Sequence, residues 1–525
     1  MVHLKSTRLR NNAIFWRLRL WIKGGRPRRR RWFWSTLLVI SGLLIASLGP
    51  LITPQPAYAQ LNRYCHASQT EIDQKESLRQ AVVAGNAEVQ AQYDAIIKRH
   101  TAELQTCRRQ NWPQTQATWI RLYPCDLQPG MLDALMDRII NLGYNEVYIE
   151  VFYNGQVLLP ARENRTAWPS VVQTPGYEDR DLMAEAIEAG HRRGLKVQAW
   201  MFALNFGYSY GQRRDRSQVI ARNGHGDTTV SFAARGASSN PEEVFIDPYS
   251  YQAQEDYTRM LEAILRRRPD GVLFDYVRYP RGVGSGSVAT NVNDLWIYGS
   301  AAQQALLQRA LNNKGLELIR RFLRQGYLTT GDVEQVDALY PNEVEPLWQS
   351  RATPRYSGEL PPASARRPVL QDELWRLSVA HAVQGVVDFL QQASQPVRQQ
   401  GIPVGAVFFP SANRAVGARG YDSRLQHWNR FPDWMAWHPM AYAICGNASC
   451  IAQEVQDVLS QNGNAGSIKP ALAGVWGSSI GNRPSLEEQM GTLQRLAPSI
   501  TSISHFAYSW QDPEFDRVRK FCALR

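Results

Sequence analysis

The first 59 residues contain no aspartate or glutamate, yet they hold eleven basic residues (Lys5, Arg8, Arg10, Arg17, Arg19, Lys23, Arg26, Arg28, Arg29, Arg30 and Arg31) out of a chain whose formal net charge is +12. Removing them leaves 12 − 11 = +1. The remainder lacks the positive excess that a phosphate backbone attracts, so nucleic acid is excluded as a partner. Cysteines are few, six in all, and none falls in a Cys-x-x-Cys motif or beside a His-x-x-x-His pair. Without that spacing no metal site is expected, and no cofactor is expected either. The length of 525 residues sets no limit on core size, because α/β barrels reach it once insertions are added.

The basic leader continues into an apolar stretch from Ser35 to Ile52 and then Ala57-Tyr58-Ala59, a small-x-small cleavage site before Gln60. Residues 1–59 therefore read as an export signal, with Arg30-Arg31-Trp32-Phe33 faintly similar to a twin-arginine signal. The alternative is an uncleaved anchor, against which Gly42, Gly49 and Pro50 weigh. The expected location is periplasmic or extracellular, with membrane contact only through the leader if it stays attached. All six cysteines (Cys65, Cys107, Cys125, Cys445, Cys450 and Cys522) lie beyond the cleavage site, where disulfides persist. Six cysteines allow fifteen connectivities. Cys445 with Cys450 closes a small loop, Cys65 with Cys107 is the next expected pair, and Cys125 and Cys522 stay unassigned.

From Gln69 to Cys107, apolar residues recur at helical spacing (Leu78, Val82, Val89, Tyr93, Ile96, Ile97, Leu104), and Gly85-Asn86 breaks the run. Residues 60–112 thus predict a helical hairpin. Beyond it, strand-like runs alternate with helical ones. The strands are expected at Ala117–Tyr123, Glu146–Phe152, Lys196–Phe202, within the Pro269–Pro280 stretch, and at Pro403–Phe409, Trp434–Met440, Ala471–Trp476 and Ile503–Tyr508. Eight strands with crossover helices predict a (β/α)8 TIM barrel over residues 113–525. Between the fourth and fifth strands lies a partly helical insertion, residues 281–370, followed by a long return helix from Asp372 to about Gln399. Leaving from the carboxyl end of a strand, it is a candidate lid or subsite wall.

The fourth strand carries the chemistry. Pro269-Asp270-Gly271 turns the chain into Val272-Leu273-Phe274, and the run stops on Asp275, followed by Arg278, Tyr279 and Pro280. Strand ends are where α/β barrels place reacting groups. An Asp there also serves as a turn cap or the partner of an Arg, and Arg278 is near enough for that.

Asp270-Gly271-Val272-Leu273-Phe274-Asp275-Tyr276-Val277-Arg278-Tyr279-Pro280 resembles the Asp-Gly-x-x-x-Asp-x-x-x-Tyr-Pro motif of the family 10 glycosyl hydrolase-like TIM-barrel proteins. Further points of resemblance are Ala199-Trp200, Ile246-Asp247-Pro248, Trp375-Arg376 and His438-Pro439-Met440-Ala441-Tyr442, so that the similarity runs from Ala117 to Trp510. Two features depart from the family pattern: Asp275 is followed by Tyr276 where many relatives carry a second acid, and His438 stands where an amide is common. The resemblance implies a secreted glycoside hydrolase.

Such chemistry uses two carboxyl groups. Asp275 is the first, and Arg278 is expected to keep it ionised. Glu150, late in the second strand, is the candidate second, with an ion pair to Arg121 as its structural alternative. An N-acyl group on the substrate would remove the need for it. Asp247 reads better as a helix cap than as a catalytic acid. Candidate sugar-binding groups are Trp200, Arg278, Tyr279, His438, Tyr442, Trp476, Tyr508 and Trp510, because aromatic faces at a barrel mouth suit sugar C–H surfaces and phenols donate to hydroxyls. The expected partner is a cell-envelope or extracellular polysaccharide, and the alternative is a barrel that binds carbohydrate without turnover. The leader reading makes a direct prediction: mass spectrometry of the exported protein will give an amino terminus at Gln60, whereas retention of residues 1–59 would mean an anchor.

Overall fold

The eight apolar runs do form a closed parallel barrel. In the computed structural model, which describes residues 64–352, 360–462 and 464–524, the strands are β1 (Thr115–Ile120), β2 (Glu146–Tyr153), β3 (Lys196–Phe202), β4 (Gly271–Asp275), β5 (Val404–Phe408), β6 (Ala436–Ala441), β7 (Ala471–Ala473) and β8 (Ser502–Phe506). Each pairs in parallel with the next, and β8 pairs with β1 through Thr115 and Ser502. The wall therefore has no free edge, the arrangement parallel strands reach when helices cover the outside. The leader and its cleavage site lie outside the described residues.

Alternation along each strand sends every second side chain inward. Trp119 from β1, Tyr148 from β2 and His438 from β6 meet across the interior, with ring centroids 4.6 Å apart for Trp119 and Tyr148 and 5.6 Å for Tyr148 and His438. Trp119 also donates its indole N–H to Ser504 Oγ of β8 at 2.9 Å. Gly405 is required here: a Cβ on it would stand 2.6 Å from Leu273 and 2.8 Å from the His438 ring. The barrel is thus plugged below its mouth by side chains rather than open as a pore.

The hairpin comprises α1 (Gln69–Val83) and α2 (Gln90–Gln110), joined through the left-handed Gly85 where the sequence predicts the break. It lies against α3 (Met131–Asn141) and the end of α4 (Leu182–His191) through a buried polar network. Tyr93 donates to Asp137 at 2.6 Å, Arg193 donates to Asp137 at 2.8 Å and to Tyr93 at 2.8 Å, and Lys75 sits 3.8 Å from Asp137. Helix α5 (Tyr251–Leu265) precedes β4. Helices α6 (Ser300–Leu307), α7 (Asn313–Gln325) and α8 (Thr330–Leu339) build the insertion, and α9 (Ala363–Gln399) returns to the barrel. This helix starts nine residues earlier than Asp372, because Pro368 is accommodated in its second turn, where a proline forfeits little more than one hydrogen bond. A short antiparallel pairing of Val288–Ala289 with Gly420–Asp422 fastens the start of the insertion to the loop after β5. Helices α10 (Ser449–Leu459), α11 (Leu486–Leu496) and α12 (Pro513–Phe521) complete the chain. Among the described residues no helix is long and apolar enough to cross a membrane.

All six cysteines are paired: Cys65 with Cys107, Cys445 with Cys450, and Cys125 with Cys522. The last joins the loop after β1 to the end of α12. Beside it, Arg519 is fully buried and holds Asp126 by two bonds, 2.7 Å from Nε to Oδ1 and 2.8 Å from Nη2 to Oδ2. Removing one member of such a pair strands the other charge in an apolar setting. Arg519→Ala is therefore expected to lower stability by about 3–5 kcal/mol in denaturant unfolding, well beyond what an exposed pair contributes.

Candidate active site

The mouth of the barrel is built by residues at the carboxyl ends of β2, β3 and β4. Asp270, which opens β4, accepts from the Val197 amide at 2.7 Å and faces His191 at 2.8 Å, so the strand is pinned at its start. At its other end Asp275 is almost fully buried. Its Oδ2 accepts from the Trp200 indole at 3.1 Å and its Oδ1 from the Tyr276 amide at 2.6 Å. Tyr276 itself takes a left-handed conformation with φ of 52°. Such a backbone is uncommon for an aromatic residue and is characteristic of functional sites.

Arg278 does not pair with Asp275. Its guanidinium lies over the Tyr276 ring at 4.5 Å and over Phe245 at 5.4 Å, donates to the Tyr279 carbonyl at 3.0 Å, and stands 3.8 Å from Glu243 Oε1. Burial pushes the Asp275 carboxyl above its ordinary range. The Tyr276 amide, the Arg278 charge and the Trp200 indole oppose the shift without cancelling it, and the nearby Glu243 adds to it. Arg278 thus favours the ionised form of Asp275 as expected from the sequence, but desolvation outweighs it and the net shift is upward.

Glu150 projects from β2 into the same region. Its Oε2 binds Arg121 Nε at 2.6 Å, the ion pair weighed from the sequence, while Oε1 has no hydrogen-bond partner among the described residues. Burial raises its pKa, Arg121 opposes, and the charge of Asp275 raises it further. The two carboxyls therefore feel each other. Glu243, in the loop before α5, is a third buried carboxyl. Its Oε2 also has no hydrogen-bond partner among the described residues, and its charge acts on both Asp275 and Tyr276. Sequence reasoning missed it because it lies in a polar loop outside any strand, four residues before the better-patterned Asp247-Pro248.

The remaining candidates separate. Trp200 is packed edge-on against Trp119 at 4.9 Å, so it orients Asp275 rather than offering a face. Tyr442 is half-buried, within the field of Asp275, and packs on Phe506 at 5.8 Å. Trp510 also packs on Phe506, at 6.3 Å. These two stand at the rim with Phe506, Phe409 and Tyr276, none of which was selected as a sugar-binding group from the sequence.

Four candidates lie elsewhere. His438 is fully buried in the barrel interior beneath the mouth, neither ring nitrogen has a partner among the described residues, and burial holds it neutral. Tyr279 is fully buried and lies toward Asp247 and Tyr249. Trp476 is displaced because β7 ends at Ala473, three residues short of the expected strand. Its ring packs in the outer layer against His66, His505 and Tyr64 at 5.3, 5.3 and 5.5 Å. Tyr508 opens a short helix that turns away after β8, and its hydroxyl donates to Asp512 at 3.1 Å. Asp247 acts as the cap expected of it, with a change of helix: it accepts from the Tyr249 amide and from the Ala302 amide in the first turn of α6, each at 3.0 Å. Burial lifts its pKa to about 6.

Residues 103–310 match the family described as Glycosyl hydrolase-like 10, in agreement with the resemblance carried by the fourth strand. The matched segment includes Glu150, Glu243 and Asp275 and stops short of Tyr442 and Trp510. Comparison with curated proteins finds no match. Among solved structures, the chain is similar to a β-galactosidase from Marinomonas ef1 at 12% identity and a TM-score of 0.39, over 75% of this chain and 54% of that one. It is also similar to an exo-β-N-acetylglucosaminidase from Vibrio harveyi at 10% identity and a TM-score of 0.38, over 80% and 58%. A third is a chitinase from Pseudoalteromonas aurantia at 10% identity and a TM-score of 0.33, over 77% and 98%. This chain thus spans little more than half of the first two. The family match supports a glycosidase-type function.

The raised carboxyl has a measurable consequence. Because the folded chain binds the Asp275 proton more tightly than the unfolded chain does, its contribution to stability grows as pH falls from neutral toward the ordinary value of 3.8. The stability of the wild type relative to Asp275→Asn is therefore expected to rise as pH is lowered through that window. Denaturant midpoints that move in parallel would show that the carboxyl is not perturbed.

Proposed function

We propose that this protein is an exported glycoside hydrolase that cleaves glycosidic bonds of a cell-envelope or extracellular polysaccharide. The observation that carries the reading is the buried carboxyl of Asp275 at a barrel strand end, held by the Trp200 indole and the Tyr276 amide, with Glu150 and Glu243 each offering an oxygen without a hydrogen-bond partner nearby. Burial favours the protonated form of Asp275, which gives it the part of general acid to the departing sugar oxygen. The second carboxyl, acting as base or nucleophile, is then Glu150 or Glu243. Glu150 is positioned by Arg121, and Glu243 by its approach to Arg278. Tyr442, Phe506 and Trp510 supply the rim against which a sugar face would rest. Export is supported by the three disulfides, which persist in an oxidising compartment.

The test is release of reducing ends from a panel of bacterial polysaccharides, amino-sugar polymers included. Asp275→Asn is expected to lower the rate by at least about 100-fold, the scale of a lost general acid. Of Glu150→Gln and Glu243→Gln, the one that loses activity comparably identifies the second group. If neither does, an N-acyl group of the substrate takes that part. Binding of a glycan by both wild type and Asp275→Asn, with no release by either, would replace hydrolysis by carbohydrate binding alone.

A further inference from the structure

The hairpin carries an arrangement unrelated to the barrel mouth. Glu71 lies in the first turn of α1, and both of its capping bonds, from the Ser68 amide at 3.0 Å and the Ser68 hydroxyl at 2.7 Å, go to Oε2. Facing it on α2 are His100 and Glu103, three residues apart and hence on one side of that helix. Ligand atoms of the three side chains lie within 4.8 Å of one another.

His100 makes this more than a cluster of surface charge. Its side chain is buried, with 4% of the residue exposed, and neither Nδ1 nor Nε2 finds a hydrogen-bond partner among the described residues. A buried imidazole ordinarily satisfies at least one nitrogen. Burial and the nearby Lys75 hold its pKa down to about 4, so at neutral pH the ring keeps a lone pair to offer. Among the described residues the only ion pair of Glu103 is a loose one with Arg99 at 3.8 Å, and its carboxylate is about half exposed. Two ligands around one tetrahedral zinc ion stand about 3.4 Å apart, so the three side chains would draw together around the ion, the exposed Glu103 having the room to move. Lys75 and Arg99 are the cations near the ring, and Lys75 is itself met by Asp137 at 3.8 Å.

We propose that Glu71, His100 and Glu103 form a Zn²⁺ site that cross-links α1 to α2. An imidazole with two carboxylates suits zinc, whereas calcium and magnesium favour all-oxygen sets, and water fills the remaining position. The ion would lock the hairpin further along from the Cys65–Cys107 disulfide, which already joins the approach to α1 with the last turns of α2.

The test uses the purified, chelator-treated, untagged protein titrated with Zn²⁺, and with Co²⁺ for its visible spectrum. One ion per chain is expected, together with a rise in unfolding temperature on zinc addition. Affinity should fall by at least roughly 10–100-fold in both His100→Ala and Glu103→Gln. Glu103 is exposed, so its variant keeps the fold even if His100→Ala is destabilised, and circular dichroism verifies this. No saturable binding by the wild type, or equal affinity in Glu103→Gln and the wild type, would overturn the proposal. Equally tight binding of Ca²⁺ would overturn the assignment to zinc.

Discussion

A charge withdrawn from water must be matched by a partner or given up with its proton. The top of this barrel is arranged around that constraint. Asp275, Glu150 and Glu243 are all buried, yet the two available guanidinium groups are committed elsewhere: Arg121 to Glu150, and Arg278 to a stack on Tyr276 and Phe245 with a distant approach to Glu243. Asp275 is left with two neutral donors. Two N–H groups are weaker support for an anion than a close guanidinium, so the carboxyl leans toward its protonated form. The packed interior below serves this placement, since Trp119 backs the Trp200 ring whose indole N–H meets Asp275.

The architecture was legible because its signal is repeated. Eight apolar runs, each followed by a helical pattern, leave few ways to fold, and small errors in one run do not alter the total. The ends of runs are another matter. Ala471 to Trp476 reads as one continuous strand, but the strand stops at Ala473, and Trp476 is carried outward. Ile503 to Tyr508 ends early in the same way. Four expected sugar-binding groups left the mouth for such reasons: Tyr279 and His438 through the direction of their side chains, Trp476 and Tyr508 through the point at which the strand stops. Asp275 stayed because the Asp-Gly turn before it and Pro280 after it bracket the strand.

Glu243 illustrates the opposite failure. Its place at the mouth depends on the loop being held close to β4 by Arg278 and by the bridge of Asn205 with Phe245, contacts between residues far apart in sequence. No local pattern announces them. Phe409 and Phe506 were hidden differently: Phe409 follows directly on the apolar run Val404–Phe408, and Phe506 closes the short strand Ser502–Phe506, so each reads as part of the wall.

The Cys125–Cys522 bond, with a sequence separation of 397 residues, joins the start of the barrel to the end of α12. Everything between them is a covalent macrocycle. One proteolytic cut at any exposed loop within it, the long insertion included, leaves a single molecule until the disulfide is reduced. A barrel nicked in this way keeps its two fragments together and can close again.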